Sequence, residues 1–145
     1  MLRNHDDMQK KQQEADMLSE GILGKQEMTV TQKETAEVLK SGTLQVFATP
    51  AMIALIEETA WKSVAPELEE GCATVGTSLN IKHVSATPVG MKVFCTTRLI
   101  EVEGRRLMFD VEVSDEKGKV GAGTHERFII QSDKFQQKAD DKLKE

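Results

Sequence analysis

The segment ATPAMIALIEETAW, residues 48–61, places two hydroxyls and two carboxylates on an apolar stretch. Residues three or four positions apart are neighbours on a helix, so Glu58 meets Lys62 in the favourable order for an exposed ion pair. Glu57 differs, because its helical neighbours are all apolar and offer it no basic partner. They are Ile53, Ala54, Ala60 and Trp61.

A carboxylate on the apolar flank of a helix costs several kcal/mol to desolvate unless it is hydrogen-bonded or paired. Such a group is a candidate acid, base or nucleophile. The alternative is that Glu57 lies at the edge of the helix and reaches water along its stem.

His83 is the second candidate. With a period of two, it shares a strand face with Val75, Thr77, Leu79 and Ile81 and points toward the helix. A single histidine on an apolar face is often structural, but Glu57 offers this one an acid–base partner. An imidazole titrates near neutral pH and can move a proton during a reaction.

Thr49 is the third candidate. It is predicted to cap the helix, with Pro50 at the first helical position, and its hydroxyl would then accept a backbone N–H. The same position also places a hydroxyl beside the free N–H groups of a helix N-terminus, which can stabilise a developing oxyanion. Eight residues turn a helix by about 80° in excess of two full turns, so Thr49 and Glu57 can face one cleft.

The elements that position these residues are one helix and a series of strands. The helix is expected from Thr49 to about Val64, since Pro66 prevents its continuation. Alternation and turn residues predict strands at 25–31, 75–83, 91–102, 105–114 and 119–131. We expect an α+β fold in which the last four strands form an antiparallel meander and the long helix crosses its concave side. Exposed edge strands favour a dimer.

The chain has 145 residues, which is typical of one domain. Residues 1–20 are predicted to be a charged N-terminal extension, residues 21–135 the folded domain, and residues 136–145 a charged C-terminal tail.

Composition excludes several classes of protein. The net charge is −5, and no cluster of basic and aromatic residues indicates a nucleic-acid partner. No apolar run is long enough for a membrane helix or a signal peptide, so a cytoplasmic protein is expected. Cys72 and Cys95 are expected to be free thiols. No metal-ligand spacing relates His5, His83 and His125, and no cofactor motif is present.

Four segments carry a resemblance to a known family: VFATPAMIALIEETAW (46–61), VGTSLNIKHVSATPVGMKV (75–93), VEGRRLMFDVEV (102–113) and GTHERFII (123–130). They occur in the order found in hot dog-fold thioesterases of the fluoroacetyl-CoA thioesterase type, and the chain resembles that family over roughly residues 20–135. The resemblance implies a dimeric hot dog fold that hydrolyses a short-chain or small acyl-CoA.

The resemblance also implies roles for particular residues. Thr49, Glu57 and His83 match the family's Thr/Glu/His constellation. Gly76 would line the acyl pocket through its backbone, and Arg127 would lie near the acyl group or set the electrostatics of the site. The pantetheine arm would enter between subunits, with the nucleotide on a basic patch. Candidates for that patch are Lys82, Lys92, Arg105 and Arg106, each of which is equally explained as an exposed strand residue.

One difference from the family is that residues 29–46 contain no aromatic residue, whereas fluoroacetyl-selective members use an aromatic lid before the helix. The resemblance therefore implies thioester hydrolysis but does not imply selectivity for fluoroacetyl-CoA. Two alternatives share the scaffold: a non-catalytic acyl-CoA binding protein, and an acyl-CoA hydratase or dehydratase.

Overall fold

A computed structural model describes residues 18–144 as five strands and three α-helices. In chain order these are β1 (Leu23–Thr29), α1 (Ala36–Leu39), α2 (Thr49–Val64), β2 (Cys72–His83), β3 (Lys92–Glu103), β4 (Arg106–Asp115), β5 (Gly118–Gln131) and α3 (Ser132–Asp140). The long helix and all five predicted strands are confirmed, with ends shifted by a few residues. Residues 1–17, most of the predicted N-terminal extension, lie outside the described residues.

The five strands form one antiparallel sheet in the order β1-β3-β4-β5-β2. The predicted meander of four consecutive strands is wrong, because only β3, β4 and β5 follow one another in space, and β2 pairs with β5. Residues 84–91 connect β2 to β3, and eight residues at about 3.3 Å each are long enough to pass from one side of the meander to the other.

The helix α2 packs across one face of this curved sheet, as predicted. Its buried stripe is apolar, and the facing strands contribute alternate residues to the same core. The helix contributes Met52, Leu55, Ile56, Ala60 and Val64, and the strands contribute Val93, Cys95, Leu99, Leu107, Phe109, Val111 and Val113. Leu18, at the start of the described residues, is also buried in this core.

A β-bulge interrupts the pairing of β2 with β5. Gly76 pairs with Arg127 and Ser78 pairs with Glu126, which leaves Thr77 without a partner. The extra residue reverses the alternation, so Gly76 shares the inner face of the sheet with His83. The predicted face was therefore wrong for residues 75–77, because a strict period of two does not allow for an inserted residue.

The strand β2 is an edge of the sheet, and its outer side pairs with no other strand within residues 18–144. At the opposite edge, β1 pairs only with β3. Among the described helices, none has the length and apolar character needed to cross a membrane.

Candidate active site

Thr49 and His83 are in contact. The Oγ1 atom of Thr49 lies 2.8 Å from Nδ1 of His83, where the start of α2 meets the last residue of β2. The predicted capping role of Thr49 is wrong, because the cap position is Ala48 and no side chain caps this helix. The hydroxyl is therefore available to the imidazole.

The environment of His83 favours its neutral form. Desolvation by burial lowers the pKa of its imidazole from the ordinary value of 6.5. The ring meets Phe47 edge-on, with centroids 6.4 Å apart. Its Nε2 atom is buried and makes no hydrogen bond within the described part of the chain. A buried polar atom without a partner is energetically unfavourable.

A cavity of about 330 Å³ adjoins this pair. Small and apolar residues form most of its wall, including Ala36, Phe47, Ala48 and Ser85. The helix N-terminus at Thr49 opens onto the same space, so its free backbone N–H groups can face a ligand there.

Glu57 lies elsewhere, against β5 and β2. Its Oε2 atom accepts a hydrogen bond from Nη1 of Arg127 at 3.1 Å. The side chain of Arg127 is 5% exposed and that of Glu57 is 39% exposed, so the carboxylate lies at the margin of the core. Local sequence patterns do not reveal this pairing, because the two residues are 70 positions apart.

Arg127 is held by two further residues. Its Nε donates to Oγ1 of Thr74 at 2.8 Å, and its Nη2 donates to the carbonyl of Thr74 at 2.9 Å. Nη1 also lies 3.1 Å from Nε2 of His125. Because the guanidinium can only donate, Nε2 of His125 must accept, and Nδ1 then donates to the carbonyl of Ser78 at 2.9 Å. His125 is therefore neutral.

Burial of these two groups shifts their pKa values in the same direction. Desolvation lowers the pKa of His125 from 6.5, and the positive charge of Arg127 adds to the effect. Desolvation also lowers the pKa of Arg127, although the hydrogen bond that Arg127 donates to Glu57 opposes that shift. An arginine keeps its charge in proteins, so the Arg127–Glu57 contact is an ion pair.

Gly76 lies directly beneath the carboxylate of Glu57. A Cβ atom at position 76 would overlap Oε2 of Glu57 and would lie 3.3 Å from Nη1 of Arg127. The inward orientation follows from the bulge at Thr77, and the absence of a side chain gives the carboxylate its place. Gly76, Glu57 and Arg127 therefore form one cluster.

One protomer does not bring Glu57 close to His83. Gly76, which touches Glu57, and His83 are seven residues apart on β2, a separation of roughly 20 Å along a strand. Thr49 and Glu57 are eight residues apart on α2, or about 12 Å along the helix axis. The structure thus has a hydroxyl–imidazole pair and a carboxylate–guanidinium cluster at separate places on the same edge of the molecule.

Other features of the described residues lie away from both places. A larger cavity, of about 800 Å³, is lined by Leu68, Cys72, Val102 and Ile129, and by Arg105 of the candidate nucleotide patch, but by none of the candidate catalytic residues. Cys72 and Cys95 are free, as predicted. No three His, Cys, Asp or Glu side chains within residues 18–144 are arranged to hold a metal ion.

Comparison with protein families gives a match over residues 30–133 to the family described as fluoroacetyl-CoA-specific thioesterase. The chain belongs to this family. Its members are thioester hydrolases, and the match includes Thr49, Glu57, Gly76, His83 and Arg127. A curated relative, the fluoroacetyl-CoA thioesterase of Streptantibioticus cattleyicolor, is 43% identical over 94 residues, which are 65% of this chain and 68% of that protein.

Solved structures agree with the family. A mutant of the fluoroacetyl-CoA thioesterase FlK in complex with acetyl-CoA matches with a TM-score of 0.82 and 34% identity, over 86% of this chain and 98% of that one. A hot-dog-like protein from Thermanaerovibrio acidaminovorans matches with a TM-score of 0.82 and 19% identity, over 90% and 96% of the two chains. The predicted hot dog fold is confirmed.

Proposed function

We propose that this thioesterase-family protein hydrolyses a short-chain or small acyl-CoA to the free acid and CoA, with Thr49, Glu57 and His83 as its catalytic residues. The observation that carries the proposal is the 2.8 Å contact between the Thr49 hydroxyl and the His83 imidazole at a helix N-terminus. A relative's structure holds acetyl-CoA, which supports a small acyl substrate.

A second copy of the chain completes this site. Antiparallel pairing of two β2 edges about a two-fold axis between Leu79 and Asn80 places Gly76 of one subunit opposite His83 of the partner subunit. Glu57, which rests on Gly76, then lies near the hydroxyl–imidazole pair of the other chain. The pairing also satisfies an edge strand that is otherwise unpaired in residues 18–144.

In this arrangement the acyl carbonyl lies between the two clusters. The Glu57 carboxylate either adds to the carbonyl, giving an anhydride that water then hydrolyses, or removes a proton from an attacking water. Both routes expel CoA as a thiolate. Arg127 orients the carboxylate by donating to Oε2, which leaves the other oxygen, Oε1, for the reaction.

His83 and Thr49 serve the same step from the other side. The lowered pKa of His83 keeps the imidazole neutral near pH 7. It can accept a proton from the water that hydrolyses the anhydride, or, in the general-base route, pass to the CoA thiolate the proton that Glu57 has taken from water. The Thr49 hydroxyl and the free N–H groups of α2 face the developing oxyanion, and one such donor contributes about 2.7 to 4 kcal/mol in other enzymes.

The first test is release of CoA from a panel of short and medium acyl-CoAs. We expect the unmodified protein to release CoA, and Glu57→Ala and His83→Ala each to slow release by at least about a hundredfold. Glu58→Ala is the matched control, because Glu58 lies on the same helix in the predicted ion pair with Lys62, now found at 3.3 Å. Equal rates in all four proteins would show that the site is wrong.

The other functions on this scaffold give different results in the same assay. Acyl-CoA that binds tightly and is recovered unchanged would indicate a binding protein. A product that keeps its thioester bond and gains or loses water would indicate a hydratase or dehydratase.

The second test is subunit complementation. Glu57→Ala and His83→Ala proteins are unfolded together and refolded as a mixture. If each site takes Glu57 from one subunit and His83 from the other, a mixed dimer holds one intact site, and the mixture regains about a quarter of the normal activity. If the mixture stays as inactive as its components, Glu57 and His83 do not act across subunits.

A further inference from the structure

The bulge in β2 is held from the outer face of the sheet. Thr77, the inserted residue, donates from Oγ1 to Oε1 of Glu126 at 2.7 Å. The other oxygen of Glu126 accepts from Nε of Arg106 at 2.7 Å. One carboxylate, on the neighbouring strand β5, therefore joins the inserted residue of β2 to Arg106 on β4, the next strand along the sheet.

The outer cluster, formed by Thr77, Glu126 and Arg106, includes ion pairs with further carboxylates. Arg106 also lies 3.4 Å from Glu101 and 3.8 Å from Glu103, and the side chains of Arg106 and Glu126 are 28% and 21% exposed. The hydrogen bonds from Thr77 and Arg106 lower the pKa of Glu126, so it remains an acceptor for both.

On the inner face, the same bulge is the start of a chain of hydrogen bonds to Glu57. The carbonyl of Ser78, next to the inserted residue, accepts from His125. His125 accepts from Arg127, and Arg127 donates to Glu57. Glu126 lies between His125 and Arg127 in β5, so its outer contacts and the inner chain share the same short piece of backbone.

We propose that Thr77, with Glu126 and Arg106, is a positioning device that fixes the bulge and thereby places Gly76 and the carboxylate of Glu57 for reaction. The inference rests on the proposed role of Glu57. Without the outer hydrogen bond the inserted residue can shift along the strand, and a shift of one position turns each side chain to the other face. The inward orientation of Gly76 would then be lost, together with the place that it gives the carboxylate.

The test compares four variants. Thr77→Val replaces the hydroxyl with a methyl of the same size, and Glu126→Ala removes the acceptor. Thr77→Ser keeps the hydroxyl and should behave as the unmodified protein. Glu27→Gln is the matched control, because it breaks an exposed pair with Lys92, at 3.9 Å, on strands away from the site.

We expect Thr77→Val and Glu126→Ala to lower kcat by about 10- to 100-fold with KM nearly unchanged, since small displacements of a reacting group have effects of this size. The thermal midpoint should remain far above the assay temperature. If Thr77→Val and Glu126→Ala lose stability but keep the kcat of the unmodified protein, the proposed positioning role is wrong.

A second measurement does not depend on activity. The carboxyl ¹³C resonance of Glu57, assigned through Glu57→Gln, should move in Thr77→Val and Glu126→Ala and stay in place in Thr77→Ser and Glu27→Gln. An unmoved resonance in Thr77→Val overturns the inference even if the enzyme is active. A moved resonance in a protein that releases no CoA supports the positioning and shows instead that the proposed function is wrong.

Discussion

The carboxylate of Glu57 is stabilised by a guanidinium that is itself nearly buried. Arg127 uses one nitrogen for Glu57 and His125 and the other two for Thr74, so the cation has no freedom to follow a displaced partner. Pairing of this kind offsets the desolvation cost of a charge on an apolar helix flank. The same rigidity fixes His125 as an uncharged acceptor.

Substitution of Gly76 by alanine tests this cluster. The added methyl overlaps Oε2 of Glu57, so the carboxylate must leave Arg127. We expect kcat to fall at least about tenfold and the free energy of unfolding, measured with urea, to fall by about 1 to 3 kcal/mol. In a Glu57→Ala background the overlap is gone, so Gly76→Ala should then have little effect on stability. An equal loss in both backgrounds would contradict the overlap.

His125, which is buried, and His83, which is half-buried, predict how stability depends on pH. Burial lowers the pKa of both His83 and His125 below 6.5, so the unfolded chain binds protons that the folded chain does not. Stability should therefore be complete above about pH 7 and fall as the pH drops through 6.5 toward the lowered values. Urea denaturation from pH 8 to pH 5 measures this slope. His125→Asn should make it shallower, and an unchanged slope would exclude His125 as a source.

At the scale of the elements, the start of α2 and the bulge of β2 determine where the candidate side chains point. The cap of the helix is Ala48, one residue earlier than predicted, which frees the Thr49 hydroxyl for His83. The bulge turns Gly76 inward. Both are shifts of a single residue, and both alter which contacts a side chain can make.

Thr49→Val separates the two roles that a hydroxyl can have at a helix start. A capping residue loses about 1 kcal/mol of stability when its hydroxyl is removed. Because Thr49 does not cap α2, we expect Thr49→Val to leave the free energy of unfolding within about 0.5 kcal/mol. Activity should fall at least about tenfold, whereas Thr49→Ser should keep most of it. A stability loss near the capping value, with full activity, would contradict this assignment.

Sequence patterns predicted the long helix and the strands better than they predicted the contacts between side chains. The apolar spacing from Met52 to Val64 and Pro66 after it are local signals, and the helix was confirmed. The pairing of Glu57 with Arg127 and the bulge at Thr77 depend on residues about 50 to 70 positions away. A period of two cannot reveal them. A local signal for Arg127 did exist, because it follows His125 by two positions and so shares its strand face.

For the whole molecule, the position of β2 at the edge of the sheet decides whether one chain can form the proposed site by itself. One subunit holds every candidate side chain, but Gly76, which touches Glu57, lies roughly 20 Å from His83 along that strand. If a second copy completes each site, only the dimer is active, so activity depends on the equilibrium between monomer and dimer. Activity then becomes a measure of how much of the protein is dimeric.

Dilution tests this linkage. We expect the activity per subunit to be constant at high concentration and to fall once the dimer dissociates, in step with the mass measured by sedimentation velocity. The midpoints of the two curves should agree. Activity that persists in a sample shown to be monomeric would contradict a site shared between subunits.

Cys95 provides a separate reporter of the intact molecule. Its side chain is 1% exposed on β3, and burial raises its pKa to about 11, so it should resist alkylation while the fold is closed. Cys72 is only partly covered. The rate at which iodoacetamide modifies Cys95, relative to Cys72, therefore gives the frequency with which the core opens. A chromogenic thiol reagent that measures released CoA will also react with Cys72, which sets its baseline. A rise in that baseline shows that Cys95 has become accessible and that some of the enzyme has unfolded.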